Sequence, residues 1–265
     1  MGSGMNEARL FHLGFDPGRY RAKYAILPGD PARTAAIADA LGENELISVN
    51  REYTVRLART PQKEAVFVCS TGIGGPSAAI AVEELYMAGV RVFIRVGTCG
   101  AMQLPIRGGD LVVATAAVRQ EGTSLHYAPI EYPAAADFAV TQALGAAAAE
   151  SGRPVHIGVV QSKDSFYGQH APERMPVAAE LTCKWEAFKR LGVLASEMEC
   201  AAIFTAAASL GAAAGCVLHV IWNQEREAAG LDNPQVLDTG AAVQTAARAI
   251  SLLICSMAVR SGYSS

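Results

Sequence analysis

Val92-Phe93-Ile94-Arg95-Val96-Gly97-Thr98-Cys99-Gly100 is the stretch from which the fold is read. Its apolar run predicts a buried strand, and its glycines predict a turn at the strand end where backbone can approach a ligand closely. One arginine stands inside the run. A guanidinium in a core strand costs several kcal/mol unless it is paired or faces a ligand. Two readings of Arg95 stay open and balanced: a partner for a core carboxylate, or part of an anion site. Thr98, Cys99 and the N–H groups of the turn lie at the carboxyl end of the strand. They make phosphate the working expectation for the anion.

Outward from this strand, apolar runs and helical patterns alternate. Upstream, Tyr24–Leu27 reads as a strand that enters Pro28-Gly29-Asp30-Pro31 and a helical pattern over 32–41. Asp30 is the expected N-cap and Pro31 the first helical residue. Short strands are expected at 45–49 and 52–57, around Asn50-Arg51. A buried strand at 65–69 runs through Ser70–Ser77 into a helix ending at Met87. Downstream, strands are expected at 111–118, 156–161, 193–197 and 216–222. Helices are expected at 134–151, 181–191 and 200–210, with a last one ending near Val259. The segments 120–133, 162–176 and 223–233 read as loops. Such alternation argues for an α/β layered fold with a largely parallel or mixed sheet. With no repeat, linker or composition break, residues 5–265 read as a single domain. Met1-Gly2-Ser3-Gly4, ahead of Met5, reads as a vector-derived scar and is set aside.

Composition narrows the function. The 265 residues are 51% hydrophobic and 18% charged, with a net charge of −3. That suits a large packed core and offers no basic footprint for nucleic acid or an anionic membrane. The 6 cysteines show no C-x-x-C spacing and no zinc-like pairing with histidine. Several sit in apolar runs, as buried free thiols do, which points to a reducing, cytoplasmic compartment. No signal peptide or membrane-spanning run is apparent.

Four further stretches could carry chemistry, each beside a plainer structural reading. Pro28-Gly29-Asp30-Pro31 with Arg33 opens a helix, where aligned N–H groups favour an anion; an ordinary capped turn is the alternative. Thr71–Ser77 is glycine-rich but matches neither a P-loop nor a dinucleotide fingerprint, and tight strand–helix packing explains most of its glycines. Ser196-Glu197-Met198-Glu199 carries two carboxylates at i and i+2. They point the same way if the chain is still extended, ready to accept from sugar hydroxyls, or they simply suit a helix N-terminus. Asp164–Gln169 offers an aromatic face and a carboxamide, or is a surface loop. His156 and His219 read as core histidines.

Taken together and in this order, these stretches resemble the nucleoside phosphorylase-I family, and within it the bacterial uridine phosphorylase branch. The carrying motifs are Leu27–Pro31, Ser70–Ser77, Arg95–Thr98, Ser124–Pro129 and Glu197–Glu199, five in register across nearly the whole chain. The resemblance implies a three-layer α/β/α sandwich with a central mixed β-sheet, assembled as a hexamer of three dimers. It implies reversible phosphorolysis of a nucleoside to free base and α-ribose 1-phosphate, with phosphate as co-substrate and no required cofactor. It assigns phosphate to Gly29, Arg33, Arg95 and Thr98, and to Arg51 of a neighbouring subunit. It assigns ribose to Met198, Glu199 and a neighbour's His12, and the base to Cys99, Gly100, Phe166, Gln169 and Glu197. Arg95 and Glu199 are the implied catalytic pair. A potassium ion near Glu52, Ile73 and Ser77, known at the dimer interface of some relatives, is carried over as an expectation.

Departures from the pattern fall at the base end. The branch usually reads Phe-Tyr-x-Gly-Gln-x-Arg. Here Phe166-Tyr167 is followed directly by Gly168-Gln169-His170-Ala171, so the arginine for a pyrimidine carbonyl is missing. Arg174 or His170 are the candidates to replace it. Gln224 stands where an arginine is usual, and Asn223 where the purine branch has a catalytic aspartate. Cys99 replaces a small hydroxyl residue. A pyrimidine nucleoside phosphorylase is the first reading. A purine nucleoside phosphorylase, a nucleosidase and a nucleoside-binding relative without catalysis are the alternatives.

Overall fold

The computed structural model describes residues 9–262; residues 1–4, read above as a vector-derived scar, lie outside them. In chain order the elements are β1 (Tyr24–Pro28), α1 (Arg33–Leu41), β2 (Glu43–Asn50), β3 (Tyr53–Arg59), β4 (Ala65–Cys69), α2 (Gly75–Met87), β5 (Val92–Ala101) and β6 (Leu111–Gln120). Then come β7 (Ala134–Ala135), α3 (Phe138–Ala149), β8 (Val155–Lys163), α4 (Phe166–His170), α5 (Ala178–Arg190), β9 (Ala195–Glu197), α6 (Cys200–Ser209), β10 (Ala213–Asn223), α7 (Gln224–Ala228) and α8 (Gly240–Gly262).

The strands form one mixed sheet of ten, ordered β10-β6-β8-β9-β5-β1-β4-β3-β2, with β7 beside β6. Because β5 also pairs in parallel with β10 along its whole length, five strands close into a ring, and β1, β4, β3 and β2 fan out from it as an open arm. β5 is the seam. On one edge it pairs with β1 as far as Val96, and pairing resumes only at Gly100, with β9. Gly97, Thr98 and Cys99 are therefore bracketed by β10 alone. A break in pairing at the carboxyl end of a central strand is where an α/β sheet leaves room for a ligand.

Successive side chains of a strand face opposite ways, so this sheet supplies two cores. Leu27, Phe67 and Phe93 pack with α2 and α6 on one face. Ile26, Val66, Ile94 and Val217 pack with α1, α3 and α8 on the other. The layers are α/β/α, as expected. Among the described residues, no helix is long and apolar enough to cross a membrane.

Several expectations need correction. The turn expected at Gly97–Gly100 is strand, since β5 runs to Ala101. Asp30 is not the N-cap of α1: that position is Ala32, and the Asp30 carboxylate accepts the Ala32 N–H at 2.9 Å one turn earlier. Residues 134–135 are strand, and α3 starts only at Phe138, where Asp137 caps it by accepting the Val140 N–H at 3.0 Å. Short helices α4 and α7 occupy parts of the segments read as loops.

Candidate active site

A cavity of about 710 Å³ opens at the break in β5 pairing. Three walls converge there: the Gly29–Arg33 turn after β1, the Gly97–Gly100 end of β5, and Met198-Glu199 between β9 and α6. Phe166, His170 and Trp222 close its far end.

Arg95 sits at the centre, and both sequence readings of it hold. Its Nε donates to Glu197 at 3.0 Å and its Nη2 donates to Glu199, so it is paired with two buried carboxylates. Burial alone would lower its pKa, but Glu199 and then Glu197 hold it above the usual arginine value. Yet Nη1, buried, has no partner among the described residues, and Arg95 lines the cavity. The same is true of Arg33 Nη1. Burial lowers the Arg33 pKa, with Asp30 opposing and Arg95 adding like-charge repulsion. Two guanidinium groups on one cavity, each with an unused buried donor, make a site that an anion would complete.

Both carboxylates line the cavity, but they do not act alike. Chain direction changes at the end of β9, and Glu197 turns inward. It accepts from Arg95 Nε, the Ser162 hydroxyl, and the N–H groups of Glu199 and Cys200 at 2.8 and 2.9 Å. It thus caps the N-terminus of α6 and holds Arg95, with no lone pair left over for a base. Glu199 accepts from Arg95 and from the Gly74 N–H at 2.6 Å, and lines the cavity. Burial pushes its carboxyl upward, against the pull of Arg95.

Glycines allow this crowding. Gly72 N–H donates to Gly29 C=O at 3.0 Å, zipping the two turns together, and a Cβ on Gly29 would stand 3.2 Å from the Gly72 oxygen. A Cβ on Gly97 would lie 2.8 Å from Arg95 Nη2 and 2.9 Å from Leu218 Cδ2. Both neighbours are already held, Arg95 by two carboxylates and Leu218 in the core, so shifting either is costly. Gly97→Ala is expected to lower unfolding free energy by about 1–3 kcal/mol, measured by urea denaturation, and to displace Arg95 enough to reduce activity.

At the far end, the ring of Phe166 meets His170 at 4.3 Å, and His170 meets Trp222 at 5.7 Å. A bulge in the β5–β10 register between Val220 and Trp222 turns Ile221 and Trp222 toward the cavity. Cys99 lines the same end; burial raises its thiol pKa, so it contributes shape rather than a nucleophile. Lys163, missed in the sequence, is buried at the end of β8. Its Nζ donates to Ser196 Oγ at 2.8 Å, and burial lowers its pKa to about 8, with Glu197 and Glu199 opposing. The only hint was its place two residues past the expected end of a strand.

Other expected residues lie elsewhere. Gln169 is not on this cavity: its Oε1 accepts from Ser196 Oγ at 2.6 Å and its Nε2 donates to Gln224 at 3.0 Å, facing a neighbouring cavity. Arg174 is exposed against Tyr167, which removes it as the substitute arginine, whereas His170 does reach the cavity. Asn223 is buried. Its Oδ1 caps α7 and its Nδ2 donates to the carbonyls of Gln103 and Ile106, both at 2.8 Å, so it cannot serve as a purine-type acid. Arg51 occupies the tip of the β2–β3 hairpin at φ +54°, exposed and off this chain's cavity. His12 is also off it, held by Glu84. Glu52 and Ser77 flank Gly72, and Ser77 Oγ donates to Ile73 C=O at 3.4 Å, so the expected cation ligands share one corner.

The chain matches the phosphorylase superfamily over residues 23–258. It is 52% identical over 234 residues to a uridine phosphorylase of Treponema pallidum, covering 87% of this chain and 89% of that one. It is 44% identical to a uridine phosphorylase of Salmonella typhimurium, over 84% and 89% of the two chains. A guanosine phosphorylase of Halorubrum lacusprofundi is 42% identical, over 75% and 78%.

Proposed function

The chain belongs to the phosphorylase superfamily, and from that premise we propose that it is a pentosyltransferase catalysing reversible phosphorolysis of uridine to uracil and α-ribose 1-phosphate. The observation that carries this reading is the pair of unpartnered guanidinium nitrogens, on Arg33 and Arg95, at one cavity. Similarity to uridine phosphorylases over most of the chain supports uridine as the nucleoside.

Phosphate would sit between Arg33 and Arg95, with Gly29 and Thr98 beside it. Glu197 and Glu199 already offset the charge of Arg95. A phosphate dianion therefore needs more cation than this chain supplies, and the exposed Arg51 of a neighbouring subunit is suited to supply it. Ribose would lie on Met198 with its hydroxyls donating to Glu199, and a neighbour's His12 would meet the 5′-hydroxyl. In the transition state the sugar becomes oxocarbenium-like and the departing base gains negative charge. Phosphate oxygen attacks C1′ as the bond to N1 breaks, and the bond's electron pair leaves on the base.

Phe166, Cys99 and Gly100 would flank the base, and the Lys163 ammonium would donate to a pyrimidine carbonyl in place of the arginine missing at Ala171. Gln169 reaches the base only if its bonds to Ser196 and Gln224 exchange. Lys163→Met is expected to lower kcat/KM about 10²-fold. The pH sign follows from a pKa near 8: the cation is present below it and lost above it. Activity should fall with one-proton dependence as pH rises through about 8, and this limb should be absent in the variant. Folding stability runs the other way. The buried amine binds its proton less well than the unfolded one, so stability rises with pH between about 8 and the ordinary lysine range near 10.4.

The carboxylate, carbonyl and hydroxyl oxygens of Glu52, Ile73 and Ser77 suit a hard monovalent cation such as potassium, which would offset the Glu52 charge beside the Arg51 hairpin. We further propose a hexamer of three dimers with shared sites, acting in cytoplasmic pyrimidine salvage. The buried free thiols of Cys69, Cys99, Cys200 and Cys216 accord with a reducing compartment. The test is turnover of uridine, thymidine, inosine and adenosine with and without phosphate. Uridine cleavage that requires phosphate and yields ribose 1-phosphate is expected; turnover unchanged by phosphate would overturn the reading.

A further inference from the structure

Glu84 is a buried carboxylate on α2 that the mechanism above does not use. Among the described residues, its side-chain hydrogen bonds all come from one short segment. Its two oxygens accept the His12 N–H at 2.9 and 3.1 Å and the Leu13 N–H at 2.8 Å. Oε1 also meets His12 Nδ1 at 2.7 Å. A carboxylate only accepts, so the proton of that last contact belongs to Nδ1. In a neutral imidazole this leaves Nε2 as the lone pair, aimed away from Glu84.

The ring is held from other sides too. Phe11 packs edge-on at 4.8 Å and is itself 70% exposed, and Tyr53 stands at 6.5 Å. The His12 carbonyl accepts from Asn50 Nδ2 at 2.7 Å. Asn50 directly precedes Arg51, so the two residues that face out of this chain are bonded into one unit. His12 lines no part of this chain's own cavity.

We propose that Glu84 is a positioning residue: it fixes His12 in the Nδ1–H tautomer, so that Nε2 accepts a hydrogen bond from a hydroxyl of the nucleoside in a neighbouring subunit. This rests on the reading that His12 meets the ribose 5′-hydroxyl. A neutral ring held in this tautomer offers Nε2 only as an acceptor, which selects a hydroxyl donor and gives no attraction to a 5′-phosphate, so the same contact favours nucleosides over nucleotides.

The experiment compares kcat and KM for uridine and 5′-deoxyuridine in the wild type, His12→Ala and Glu84→Gln. The wild type should prefer uridine about tenfold, through KM. Both variants should shrink that preference to about twofold while leaving KM for phosphate unchanged, which a general loss of packing would not do. If His12→Ala keeps the full preference, the reading of His12 fails and the inference with it. If His12→Ala loses it and Glu84→Gln keeps it, only the role of Glu84 is overturned. Nitrogen-15 NMR of histidine-labelled wild-type enzyme needs no variant. A neutral Nδ1–H signal for His12 is expected, and an Nε2–H tautomer or a resting imidazolium would overturn the proposal.

Discussion

Arg95→Ala is expected to lower kcat/KM for phosphorolysis by at least ~10²-fold, the largest single loss from one phosphate ligand. Among the described residues, Arg95 is the one cation ion-paired with both buried carboxylates and lining the cavity. Its removal takes a charge-assisted donor from the nucleophile and leaves Glu197 and Glu199 unneutralised, facing an incoming anion. The alanine variant also weakens the fold, since breaking a buried pair costs about 3–5 kcal/mol. Arg95→Lys separates the effects. Lysine keeps the charge but is a point donor, unable to span Glu197, Glu199 and an anion in one plane. It should unfold within a few degrees of the wild type, yet show a strongly raised KM for phosphate. A near-normal rate in either variant would remove Arg95 from the site.

Glu197→Ala should be the most destabilising carboxylate substitution, by about 3–5 kcal/mol in urea denaturation. The side chain is fully buried and accepts four hydrogen bonds, from β5, from β8 and from the first turn of α6. Its loss uncaps α6, frees Arg95 Nε and leaves the Ser162 hydroxyl proton without its acceptor, although the Ser162 oxygen still accepts the Ala201 N–H. Activity should fall with stability, because Arg95 is then held by Glu199 alone. Glu197→Gln keeps the shape, but its NH₂ must face a donor whichever way it turns, so an intermediate cost is expected. An unfolding free energy within about 0.5 kcal/mol of the wild type would show that the carboxylate is dispensable.

These two residues mark the limit of legibility. Arg95, Arg33, Gly29, Thr98, Met198 and Glu199 all line the one cavity: Gly29 and Arg33 follow β1, Arg95 and Thr98 lie along β5 where its pairing with β1 gives out, and Met198 and Glu199 follow β9. In a layered α/β fold such ends gather on one side of the sheet. Glu197 lines the cavity with Glu199, but its bonds to Arg95, Ser162 and the start of α6 could not be read from the i, i+2 spacing, because β9 ends at Glu197. Lys163 and Trp222 were missed for related reasons: β8 runs two residues longer than its apolar run, and a register shift in β10 changes which side chain faces in.

What the sequence determined by itself was local: the alternation that makes layers, the glycines that permit close turns, and an arginine whose burial demands an opposite charge. Those follow from periodicity, backbone sterics and desolvation, which act over a few residues. The tertiary structure alone decided which carboxylates meet Arg95, and that it still has a donor to spare. It alone decided that a buried lysine, Lys163, reaches the cavity and that His12 and Arg51 lie off it. Each of these depends on partners distant in sequence, such as Arg95 with Glu197 and His12 with Glu84. Such pairings are set by strand register, as for Arg95 with β9, or by how a helix packs on a distant segment, as for Glu84 on α2 with His12, and no short stretch encodes either.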